Sequence, residues 1–71
     1  MIIVNSPLMQ DKITQIVLNI SDIHFEFVKK EGIQLFFKCD SSDLENAVAI
    51  IKKSIKNDPV GKTLLISVKE A

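Results

Sequence analysis

The 71-residue chain is 46% hydrophobic and 25% charged, the composition of a packed globular domain and not of a disordered segment. Nine lysines balance nine carboxylates, so no strong net field draws the chain to nucleic acid or to an anionic membrane. Arginine is missing altogether, which removes the planar fork that grips phosphate or guanine at two points. The single cysteine, Cys39, excludes an internal disulfide and a thiolate cluster for zinc within one chain.

At this length there is room for one domain, residues 1–71. Ile2, Ile3 and Val4 precede Asn5, Ser6 and Pro7 without a basic residue before them, far short of a signal-peptide core. Nowhere does the chain approach the roughly 20 apolar residues of a membrane-spanning helix. Cytoplasmic placement, with no membrane partner and no cofactor, is the expectation.

Taken in chain order, Ile2–Val4 is continuously apolar and β-branched, which predicts a short central strand covered on both faces. Ser6 followed by Pro7 predicts a helix start, with Ser6 as the cap and Pro7 in the first turn. Met9, Ile13, Ile16, Val17 and Ile20 then recur at helical spacing and place one buried stripe on a helix running to about Ile20.

From Ile23 the period falls to two. Ile23, Phe25 and Phe27 alternate with His24, Glu26 and Val28, and Ile33, Leu35, Phe37 and Cys39 alternate with Gln34, Phe36 and Lys38. Between these strands Lys30, Glu31 and Gly32 predict a three-residue hairpin loop with Gly32 in the left-handed conformation. That loop pairs Lys29 with Ile33, Phe27 with Leu35, Phe25 with Phe37 and Ile23 with Cys39. On the reverse face it sets His24 against Lys38, Glu26 against Phe36 and Val28 against Gln34.

Ser42 and Glu45 have capping-box spacing and predict a second helix, with Leu44, Ala47, Val48, Ile51 and Ile55 as its buried stripe. Asn57, Asp58 and Pro59 stop it. A fourth strand is expected from Thr63 to Lys69, where Leu64, Ile66 and Val68 alternate with Leu65, Ser67 and Lys69. The order βαββαβ predicts an α+β two-layer sandwich: a four-stranded antiparallel sheet with two helices on one face. In this pattern the whole chain resembles the ferredoxin-like superfold, which hosts many unrelated functions.

The functional expectation is a noncatalytic interaction or regulatory module, forming a homodimer or docking on another protein through the open sheet face. Phe36 and Leu65 are its apolar anchors, joined by Val28, with His24, Glu26 and Lys38 as the polar rim. A small domain rarely leaves such a patch to water, although scattered exposed apolar side chains are ordinary on any protein.

His24, the lone histidine, has no nucleophile or carboxylate cluster forced beside it, so no catalytic residue and no metal ligand is assigned. Cys39 reads as a small core residue.

Two alternatives belong to other classes. Asn5 and Ser6, at the first strand-helix turn, could hold a small effector, as in domains resembling the amino-acid-sensing ACT type, which often carry a glycine there. Acylphosphatases grip phosphate with an arginine that has no counterpart here. A weak RNA-binding module would resemble an RNA-recognition motif, yet residues 32–38 lack its aromatic, small, aromatic succession, which disfavours nucleic acid as a partner. Lys52, Lys53, Lys56 and Lys62 form a potential basic patch whose ordinary role is to complement the helix dipole.

Overall fold

The computed structural model describes residues 1–70. Its elements are β1 (Ile2–Asn5), α1 (Gln10–Leu18), β2 (Phe25–Glu31), β3 (Gln34–Cys39), α2 (Leu44–Asn57), a 3-10 turn (Gly61–Thr63) and β4 (Ser67–Glu70). The four strands form one antiparallel sheet in the order β2-β3-β1-β4. β1 lies between two neighbours, which is why its Ile2, Ile3 and Val4 are all buried and why it lacks alternation.

Register explains the core. Ile2 lies opposite Phe37, and Val4 lies opposite both Leu35 and Val68, so these side chains share one face of the sheet. The stripes Ile13 and Val17 of α1 and Ala47, Ile51 and Ile55 of α2 meet them, with Phe25, in one cluster. Phe37 is fully buried at its centre, where truncation to alanine would cost about 3–5 kcal/mol.

The hairpin differs from the expected one. Its loop is the two-residue Gly32-Ile33, closed by Glu31 opposite Gln34, and Gly32 has φ +57°. Glycine in the first of two loop positions suits the II′ turn, whose twist matches that of the flanking strands. Lys29 therefore lies opposite Phe36 and not Ile33, and Lys30 lies opposite Leu35. A bulge at Val28 then restores the alternation: Phe27 lies opposite Phe37, Glu26 opposite Lys38, and Phe25 opposite Cys39. The extra residue on β2 offsets the shorter loop, so Phe25 and Phe27 still point to the helix side. Ring centroids of Phe27 and Phe37 lie 5.7 Å apart, edge to face.

Three element boundaries also move. Ser6 is buried and does not cap α1: its Oγ donates to the Leu8 carbonyl at 2.7 Å, and its N–H donates to the Ile33 carbonyl at 2.8 Å. The helix starts three residues beyond Pro7, at Gln10, after Met9 turns the chain in the left-handed region with φ 58°. α2 is capped by Asp43, whose Oδ1 accepts from the Asn46 N–H at 3.0 Å, and not by Ser42. β4 begins at Ser67 and not at Thr63, which ends the 3-10 turn, and a bend at Leu64 separates the two elements.

Candidate interaction surface

The face away from the helices carries Ile3, Phe36, Glu26, Lys38, Asn5 and Ser67 by register. Phe36 lies at its centre, beside Ile3 on β1 and Lys29 on β2. The Lys29 ammonium sits 5.0 Å from the Phe36 ring centroid, a cation–π distance, and reaches Glu31 at 2.6 Å. Phe36 is half-buried and Ile3 only 9% exposed. The chain's own side chains cover much of the apolar centre of this face.

Around that centre the residues expected as a polar rim have other partners than the expected ones. Glu26 faces Lys38 across the strands, so His24 does not pair with Lys38 nor Glu26 with Phe36. His24 precedes β2, and its Nε2 lies 3.7 Å from Glu26 Oε1 with both side chains exposed. Val28 occupies the bulge, partly exposed, and is not opposite Gln34. Among the described residues no group of three or more His, Cys, Asp or Glu side chains could hold a metal ion.

Leu65 is not on the sheet. It lies between the 3-10 turn and β4 and is 92% exposed, so it lies in a different region from Phe36. Two hollows meet there. One, of about 240 Å³, is lined by Ser6, Pro7, Leu8, Thr63, Leu64 and Leu65. The other, of about 330 Å³, is lined by Asn5, Pro7, Ile33, Leu65, Ile66 and Ser67.

Pro7 and Leu65 belong to both hollows, and none of the lining residues is charged. Leu8, Leu65 and Ile33 are all strongly exposed. Asn5 donates from Nδ2 to Ser67 Oγ at 3.0 Å across β1 and β4, and this pair joins the apolar end to the open face.

The first strand-helix turn thus borders the same region, with its polar groups engaged internally. Gln10 Nε2 donates to the carbonyls of Ser6 and Gly32, both at 2.9 Å. No buried side-chain nitrogen or oxygen among the described residues lacks a hydrogen-bond partner. Ile33, expected on the core face of β3, is in the turn and exposed. Leu8 carried no periodic signal, while the sign that could have flagged Ile33 was a large apolar residue directly after a loop glycine.

The four lysines divide. Lys52, Lys56 and Lys62 rim one groove, whereas Lys53 lines a separate cleft with Asp22, Asn19 and Asn57. No helix among the described residues is long and apolar enough to cross a membrane. Comparison with protein-family models, with curated proteins and with solved structures finds no match.

Proposed function

We propose that the chain is a ferredoxin-like, noncatalytic interaction module that self-associates, with the apolar loop end beside the sheet as the contact core and the adjoining open sheet face as its margin. The observation that carries this is the uncharged patch of Pro7, Leu8, Ile33 and Leu65. A two-fold interface brings the same patch from two copies together, so each charge in it would be desolvated twice. This patch has none, and Leu8, Ile33 and Leu65 within it are all strongly exposed.

In this arrangement Leu65 enters the hollow beside Leu8 of a second copy, while Lys38, Glu26 and His24 form a polar rim farther out. Sedimentation over a range of concentrations tests the proposal, since a mass that stays at 8.0 kDa to high micromolar concentration removes it.

A further inference from the structure

A second surface, remote in character from the apolar end, carries its own chemistry. Lys52 and Lys56 on α2, Lys62 on the 3-10 turn, and the apolar side chains of Ile55, Leu64, Ile66 and Val68 line a groove of about 260 Å³. All three lysines are exposed. None has a carboxylate within ion-pair distance among the described residues, where the pairs are Lys12–Asp58, His24–Glu26 and Lys29–Glu31. The groove is an apolar trough under an unneutralised cationic rim.

Its position relative to the sheet narrows the occupant. β4 is an edge strand, paired only with β1, and no residue of β1 lines the groove. The groove borders β4 through Val68, and the free edge of that strand carries backbone N–H and C=O groups with no strand partner.

Both edge strands carry charges, Lys29, Lys30 and Glu31 on β2 and Lys69 and Glu70 on β4, but the bulge, a further device that blocks edge pairing, is on β2. The groove is smaller than the roughly 300–1,000 Å³ of most small-molecule pockets and suits one apolar side chain projecting from a strand.

We infer that the β4 edge binds an extended acidic peptide segment, which adds as a fifth strand, lays one aliphatic side chain between Ile55 and Val68, and sets flanking carboxylates against Lys52, Lys56 and Lys62. Backbone pairing supplies affinity in this mode and the side-chain pocket supplies selectivity. This site adjoins the self-association patch, whose hollows share Leu64 and Ile66 with it.

The test is amide-shift mapping of the full chain during titration with the synthetic peptide Asp-Val-Glu-Ile-Asp-Glu, its lysine-substituted counterpart, and octanoate. The acidic peptide is expected to shift Ser67–Glu70 together with Ile55 and Lys62, and to bind about tenfold more weakly to the Lys52→Glu, Lys56→Glu double variant. Binding should also weaken between about 50 and about 500 mM salt. Both substitutions are on the exposed face of α2, and retention of the core amide shifts verifies the fold of the variant. Absence of shifts along β4, equal binding of the basic peptide, or binding of octanoate without the peptide would each overturn the inference.

Discussion

The backbone of Gly61 lies against the carbonyl oxygen of Ile55 so closely that any Cβ there would overlap it, and would also come within 3.1 Å of Ile55 Cγ2. This approach lets the 3-10 turn fold back over the end of α2 and bring Lys62 beside Lys56. Gly61→Ala should lower stability by about 1–3 kcal/mol through overpacking against backbone that has little room to yield. Urea unfolding measures it, and a midpoint equal to that of the unsubstituted chain would mean that the turn shifts freely.

Gly32 makes the opposite case. Nothing lies within 4 Å of a Cβ built there, but φ is +57°. Gly32→Ala should therefore cost about 1 kcal/mol from the left-handed conformation alone, with the groove and the core amide shifts unchanged. A larger loss, accompanied by shifts in the core, would show that the hairpin had changed register.

Asp58 holds the turn after α2. Its carboxylate accepts from the N–H groups of Val60 at 2.9 Å and Gly61 at 3.1 Å, and these bonds, with Lys12 at 3.6 Å, lower its pKa from the ordinary 3.8. A carboxylate whose folded pKa is depressed contributes stability that is fully present above the unfolded value and is lost as pH falls through the folded one. Acidification below 3.8 should therefore destabilise the native chain more than Asp58→Asn, whose amide oxygen still accepts but does not titrate there. Parallel curves for the two proteins in urea unfolding between pH 6 and pH 2 would contradict this.

Gln10 joins the start of α1 to both the first turn and the hairpin through its bonds to the Ser6 and Gly32 carbonyls. Gln10→Ala should cost about 1 kcal/mol, since the freed carbonyls can partly turn to water. Hydrogen exchange should quicken at Ser6, whose N–H bonds to the Ile33 carbonyl. Unaltered protection of that amide would show that Gln10 does not hold the two segments together.

Local periodicity carried the order of elements and most of the core, because Ile13, Val17, Ala47, Ile51 and Ile55 follow helical spacing and Leu35 and Phe37 follow strand spacing. Where it misled, the outcome depended on competition between distant backbone groups. Ser6-Pro7 has the form of a helix start, but the Ser6 N–H is taken by Ile33, and the helix waits until Gln10. Lys30-Glu31-Gly32 has the form of a three-residue loop, but the chain closes with the two residues Gly32-Ile33 and a bulge at Val28, which no local pattern marks. Ser42 and Asp43 are adjacent capping residues, and it is Asp43 that reaches the Asn46 N–H. For the candidate surface, Phe36 was legible as outward-facing from alternation, whereas the meeting of Leu65 with Pro7, Leu8 and Ile33 is a product of the tertiary fold.

Self-association at that end is tested most directly by sedimentation equilibrium at high micromolar concentration, comparing the native chain with Leu65→Glu and Phe36→Glu. The account predicts twice the 8.0 kDa monomer mass for the native chain, the monomer mass for Leu65→Glu, and a smaller loss for Phe36→Glu. A native chain that remains monomeric throughout, or a dimer indifferent to Leu65→Glu, would contradict it.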